Sequence, residues 1–213
     1  MLIDLHCHTL RSVDSSLDPD EAVEHARAAG LDAICFTEHD YLWPQRDVEL
    51  LAEKHGFPVF AGVEVSTEIG HVLAYGLPSY TGELRTFESL VRVAERTGAV
   101  LILAHPYRRF FGFHTPEVHT EEHIQAALQR RGLEEVQAVE SWNGGSNMME
   151  NKLAEIIAGN LGMPTTAGSD AHSTAGLGRW ATDFAGEVRT VADLVEAVRA
   201  GITRGTARVL SSS

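Results

Sequence analysis

Nine side chains of metal-binding type, six histidines and three carboxylates, stand at or beside the ends of short apolar runs in this chain. No other feature restricts its folding as much. The apolar runs are 2–5, 33–37, 59–63, 72–75, 100–104, 136–139 and 165–168. His6, His8 and Asp14 follow the first and His39 the second. Glu64 and His71 flank a short gap, His105 closes the fifth run, and Asp170 and His172 follow the seventh. Amphipathic patterns fill most of the intervals. Asp18-Pro19-Asp20-Glu21 predicts a helix start with Asp18 as N-cap and Pro19 in the first turn. That helix puts Ala22, Ala26 and Ala29 on one face and ends at Gly30. Thr86 opens another, through Leu90, Val91 and Ala94 to Gly98, and others are expected over 121–130, 148–158 and 191–200. Strands alternating with helices imply parallel pairing, and about seven repeats suggest an α/β barrel, closed or nearly so.

One connection breaks the alternation. Segments 62–66 and 71–75 are too close for a helical crossover and predict a hairpin that returns Glu64 beside His71. In such a barrel, groups at the carboxyl ends of strands converge on one face. His6-x-His8 on an extended segment turns both rings to the same side, and Asp170-x-His172 is expected to do likewise. A lone histidine at a strand end is more often a hydrogen-bonded core residue than a ligand. Six of eleven histidines at such ends, together with three carboxylates, reverse that balance and read as a multinuclear metal site, hence a hydrolase. His25, His55, His114, His119 and His123 lie in helical or loop contexts and read as structural or solvated.

Composition narrows the partners. With 17 Lys+Arg against 30 Asp+Glu the net charge is −13, which argues against a broad nucleic-acid-binding face but tolerates a nucleotide-sized substrate beside bound cations. The chain fits one domain, 1–213, large enough for a real core. No targeting peptide precedes Asp4, no apolar run approaches the roughly 20 residues of a membrane span, and Cys7 and Cys35 lie in strand-like contexts. A reduced, cytoplasmic setting is the expectation, with a disulfide the weaker alternative.

Asp4-x-His6-x-His8-Thr9, Thr37-Glu38-His39-Asp40, Gly62-Val63-Glu64-Val65-Ser66, His105-Pro106 and Ser169-Asp170-Ala171-His172 together resemble the PHP superfamily, the polymerase and histidinol phosphatase domain of metal-dependent phosphoesterases. The resemblance covers nearly the whole chain. It implies a distorted seven-stranded, TIM-like (β/α)7 barrel and a trinuclear site of three divalent ions (Mn, Fe or Zn). It places His6, His8, Glu64 and Asp170 on the first ion, Glu64, His71 and His105 on the second, and Asp14, His39 and His172 on the third. Some members have a histidine where Asp14 stands; the aspartate makes the third position harder and favours Mn or Fe over Zn. Three divalent ions outweigh three carboxylates, so the site suits an anion. The implied chemistry is attack by a metal-bridging hydroxide on a small phosphate ester. Arg108 and Arg179 are expected on the phosphate. Glu38 and Asp40, flanking His39, serve either to orient ligands or to protonate the leaving oxygen. Glu140 and Asn143 are expected to orient ligands or substrate. Phe110, Phe111 and Phe113 either stack on a base or, the favoured reading, pack a long loop.

A nucleotide or nucleoside-bisphosphate ester is the favoured substrate. Nucleotide-acting relatives often carry an inserted subdomain, yet only 64 residues lie between His105 and Asp170, which implies an open site. Histidinol-phosphate phosphatases are generally longer, so that alternative ranks lower. A non-catalytic metal-binding module, as in polymerase-associated domains, fits poorly with a full ligand set. Carbon–nitrogen or ester hydrolysis by a related metal barrel usually wants a bridging lysine, and Lys54 and Lys152 fall in helical patterns. No long nucleic acid and no membrane is expected as partner; the sequence sets no oligomeric state.

Overall fold

The structure is a computed structural model that describes residues 1–112 and 116–207. The expectations for Phe113 and His114 lie outside the described residues. Ten strands and six α-helices follow one another in the order β1 (Leu2–Cys7), α1 (Pro19–Ala28), β2 (Ala33–Phe36), α2 (Gln45–His55), β3 (Val59–Ala61), β4 (Val63–Thr67), β5 (Gly70–Tyr75), α3 (Phe87–Thr97), β6 (Val100–Leu103), α4 (Glu121–Leu128), β7 (Ala138–Asn143), α5 (Met148–Leu161), β8 (Thr165–Gly168), β9 (Trp180–Phe184), α6 (Val191–Arg199) and β10 (Thr203–Ala207).

The strands form two five-stranded sheets, ordered β10-β9-β1-β2-β3 and β4-β5-β6-β7-β8. This is a mixed α/β fold, as the alternating pattern implied. Among the described residues the strands do not close into a seven-stranded (β/α)7 barrel. Pairing is parallel for β1–β2–β3 and β6–β7–β8, and antiparallel at the β4–β5 hairpin and at β5–β6, β1–β9 and β9–β10. The expected third strand is split at Gly62, where the chain passes from one sheet to the other. A Cβ there would come within 2.5 Å of the Tyr75 ring, so the bend needs glycine. The two sheets also touch at two seams: an isolated parallel bridge joins His39 to Glu64, and another joins Cys7 to Ala171.

Local chemistry explains most elements. The Asp18 carboxylate accepts from the amides of Asp20 and Glu21, with Pro19 in the first turn, as expected for α1. The helix stops at Ala28, and its buried face is Ala22, Val23 and Ala26 rather than one that reaches Ala29. In α3 the buried residues Phe87, Leu90 and Ala94 recur at helical spacing, and Gly98 ends the helix in the left-handed conformation. A buried leucine such as Leu90 contributes on the order of 2 kcal/mol. Both cysteines are buried and free, so no disulfide forms between them. Among the described residues no helix is long and apolar enough to cross a membrane.

Candidate metal centre

The nine singled-out residues lie in strands of both sheets or in the segments that follow them, and meet at the two seams. β1 carries His6, and His8 follows directly after it; the two rings turn to one side as alternation along an extended segment requires, with their Nε2 atoms 3.1 Å apart. The β4–β5 hairpin pairs Ser66 with His71, so Glu64 is the diagonal neighbour of His71 on the same face, and its Oε1 lies 2.8 Å from His71 Nδ1. His105, just past β6, brings Nε2 to 3.0 Å from that same oxygen. The other Glu64 oxygen, Oε2, lies 2.8 Å from His39 Nδ1 and 3.3 Å from His8 Nε2.

After β8 the chain reaches the cluster by a different route from the one expected. Asp170 has φ +51°, a left-handed backbone, so Asp170-Ala171-His172 is not an extended segment. The turn nonetheless delivers both side chains. Asp170 Oδ1 lies 3.2 Å from His8 Nε2 and 3.4 Å from His6 Nε2, while His172 Nε2 faces Asp14 at 3.4 Å. Gly168 permits the approach, because a Cβ there would collide with His6. Asp14 also lies 3.2 Å from His39 Nε2. His105 too is left-handed, at φ +27°. Such backbone at non-glycine residues costs on the order of 1 kcal/mol or more each, and here it is spent on aiming ligands.

Electrostatics follows from burial and neighbours. Burial opposes ionisation of Glu64 and Asp170, yet His6 and the other surrounding donors hold both well below the usual carboxylate range. Burial also opposes charge on His6, but Glu140, Asp170 and Glu64 together raise it. Burial lowers His8, whereas the contact with Glu64 raises His39. The Asp4 carboxyl is pushed up to about 6 by burial, against the amides of Ser169 and His6 that it accepts from.

These residues suit divalent ions. Donor atoms held about 2.0–2.2 Å from one ion lie roughly 3.0–3.4 Å from each other, and most of the separations above fall in or near that range. Glu64 Oε2 is buried without a hydrogen-bond partner, although imidazole nitrogens surround it. Four overlapping triads each place their ligand atoms within 4.8 Å of one another: His6, His8 and Asp170; His6, Glu64 and His105; His39, Glu64 and His71; and His8, His39 and His172.

The residues expected to act on substrate divide. Arg108 reaches the cluster: its guanidinium bonds Asp170 Oδ2 and, at 2.5 Å, Asn143 Oδ1. Arg179 is exposed, and its guanidinium makes no hydrogen bond or ion pair among the described residues. The Asp40 carboxylate accepts from Ser66 N and Tyr80 Oη and lies near Arg85, and Glu38 faces Thr9, Ser12 and Trp43; both are turned from the histidines. Trp43 and Tyr80 also line a cavity of about 840 Å³ against α6, which none of the nine residues lines. Glu140 bonds two of the candidate ligands: one oxygen meets His6 Nδ1 at 3.0 Å, and the other accepts from His105 N and Asn143 Nδ2. Phe110 and Phe111 pack on the core beside Tyr107 and His119, the loop-packing role. His25, His55, His119 and His123 bond elsewhere. Sequence reasoning missed Ser12, for which no local pattern gives a signal, and the structural work of Asp4 and Ser169, which their places in the first and last motifs do signal.

The sequence model of the PHP domain matches residues 4–147, and that of a PHP-associated segment matches 148–203. Among characterised proteins, a 5'-3' exoribonuclease of Haemophilus influenzae is 38% identical over 64 residues, 30% of this chain and 23% of that protein. A 3',5'-nucleoside bisphosphate phosphatase of Chromobacterium violaceum is 31% identical over 108 residues, 46% of this chain and 38% of that protein. The chain thus matches well under half the length of either relative. Among solved structures, a two-domain protein containing a predicted PHP-like metal-dependent phosphoesterase from Bacteroides vulgatus superposes with a TM-score of 0.68 at 23% identity, over 98% of this chain and 65% of that one. An amidohydrolase from Chromobacterium violaceum gives 0.65 at 18% identity, over 92% and 96%. At such identities the two structures speak for the fold alone.

Proposed function

This chain belongs to the PHP domain family, and on that premise we propose that it is a metal-dependent phosphoesterase acting as a single functional unit on a small phosphate ester, with a nucleotide or nucleoside bisphosphate favoured. The observation that carries the reading is Glu64: a fully buried carboxylate with one unpartnered oxygen, ringed by nitrogens of His6, His8, His39, His71 and His105. Nothing but cations satisfies such a group well. The overlapping triads, two of which contain Glu64, support neighbouring ion positions: Glu64 would bridge the first two, and Asp14, His39 and His172 would form the outermost. Divalent ions bound there supply a polarised phosphoryl group and an activated water.

The chain's own residues do the rest. Glu140 fixes the rings of His6 and the backbone of His105. Arg108, held by Asp170 and Asn143 at the cluster's edge, would take a phosphate oxygen, and its buried Nε has no hydrogen-bond partner among the described residues. Arg179 has the freedom of an exposed side chain to reach the same anion. The similarity to a nucleoside bisphosphate phosphatase supports the substrate class, and the acidic chain disfavours long nucleic acid. Two free, buried thiols fit a reducing cytoplasmic setting.

The test is phosphate release by manganese-reconstituted protein across nucleoside mono- and bisphosphates, histidinol phosphate and sugar phosphates, with His39→Ala as control. Turnover that disappears in the variant is expected, with the best ester a nucleotide. No turnover on any ester by fully metal-loaded protein would overturn the reading.

A further inference from the structure

We propose that Glu38 and Ser12 are positioning residues that decide which ring nitrogen of His8 faces the metal centre, and that Glu38 takes no part in protonating the leaving group. The inference rests on the metal-site reading above and deepens it.

It follows from a count of hydrogens. Glu38 is fully buried and accepts the Thr9 amide on both oxygens, at 3.2 and 3.0 Å. It also accepts the Trp43 indole N–H on Oε1 at 2.8 Å. Amide and indole nitrogens can only donate, so Glu38 is committed as an acceptor at both oxygens. The Thr9 hydroxyl adds a further bond at 2.6 Å to Oε1, and Ser12 Oγ donates to Oε2 at 2.6 Å. A serine oxygen has one hydrogen and two lone pairs. With its hydrogen given to Glu38, Ser12 takes the His39 amide on one lone pair at 3.1 Å. Its remaining neighbour is His8 Nδ1 at 3.3 Å, and only a lone pair is left to meet it. Nδ1 therefore carries the hydrogen.

A neutral imidazole has one N–H, so Nε2 of His8 is bare. That is the atom that faces His6 Nε2, Asp170 Oδ1 and Glu64 Oε2. Glu38 thus acts on His8 through Ser12, while the same hydroxyl holds the backbone of His39. His6 turns Nε2 to the same centre by direct contact of Nδ1 with Glu140, and His172 by donating from Nδ1 to the carbonyl of Asp170. Three histidines present Nε2 by three different means.

Glu38→Gln is the informative change. The amide keeps the shape and one acceptor, but its NH2 donates to Ser12, whose hydrogen must then turn to His8 Nδ1 and drive the ring's hydrogen onto Nε2. Zinc affinity of the full chain, measured by chelator competition, is expected to fall about 10–100-fold. Nitrogen-15 spectra of histidine-labelled, zinc-loaded protein should lose the Nδ1–H signature of His8. Ser12→Ala should weaken zinc about tenfold and Ser12→Thr, which keeps the hydroxyl, should bind as wild type. Where Glu38→Gln fails to fold, the serine pair decides: equal affinity in Ser12→Ala and Ser12→Thr overturns the proposal. So does a folded Glu38→Gln that binds zinc as tightly as wild type with His8 still protonated at Nδ1. Wild-type protein that binds no zinc overturns the metal-site reading as well, whereas unaffected variants of a zinc-binding wild type overturn this inference alone.

Discussion

The inner and outer halves of the site differ in what surrounds them. His6, His8 and Glu64 are wholly buried and Asp170 is only 4% exposed, whereas His39, His172, His71 and Asp14 are 26%, 30%, 35% and 52% exposed. The inner half is a concentration of charge in a low-dielectric setting, braced by Glu140 and Arg108. Without cations its carboxylates depend on histidine protons for neutrality. The outer half faces water, which solvates Asp14 whether or not an ion is present. An ion held in the inner half would therefore be part of the folded structure, and one held in the outer half would exchange with solvent and be available to substrate.

The largest effect expected from this contrast is at Glu64, which belongs to both halves. Glu64→Gln keeps the size but removes the charge that five histidines address. Bound metal, read by mass spectrometry, should fall at every position and turnover by about a thousandfold or more. Retention of full metal content would break the comparison, since the halves would then be independent. Asp14→Asn should act on the outer half alone. One equivalent of metal should weaken at least about tenfold in a calorimetric titration while the tighter equivalents stay unchanged. Equal weakening of all equivalents would mean a single cooperative unit.

The smallest effect expected is on pH dependence. In metal-free protein His6 and His39 are raised above their unfolded values, so their stabilisation is complete below about pH 6.5 and is lost as pH climbs through the folded values. Asp4, raised to about 6, loses stabilisation in the same direction from about pH 4 upward. Glu64 and Asp170, held low, work in the opposite sense and lose theirs only in strong acid. Metal-free protein should therefore melt highest in mildly acid solution and a few degrees lower in alkali. Added manganese should reverse that trend, because metal displaces the histidine protons and binds better as pH rises. A melting curve whose pH trend is the same with and without manganese would detach the histidine protons from the site.

Much of this arrangement was legible in the sequence because its parts are local. Asp18-Pro19, Gly98 and the short gap between Glu64 and His71 carry their meaning within a few residues, and His6-x-His8 needs only strand alternation. What was not legible depends on distant partners. β10, with the sequence Thr-Arg-Gly-Thr-Ala, has no apolar pattern and exists because β9 offers it an edge. α2 starts after Pro44 without a side-chain cap, and Val48 is its one buried residue, so its amphipathic signal is faint. The split at Gly62 reflects the bulk of Tyr75, thirteen positions along. For the site, residue types at strand ends were enough to assemble the candidate ligands. The left-handed turn at Asp170 and the Glu38–Ser12–His8 chain were beyond reach, because both depend on which atoms meet after β1 and the segment following β8 have come together.

That meeting has a consequence for the order of events during synthesis. His6 and His8 leave the ribosome first, yet Asp170 and His172 emerge more than 160 residues later, and the segment that carries them closes one flank of β1. A nascent chain that has reached α5 already holds Glu64, His71 and His105. It lacks the groups that complete the inner half. Tight metal capture would thereby wait for the segment that follows β8, and a copy truncated before that segment would release its ion instead of retaining it.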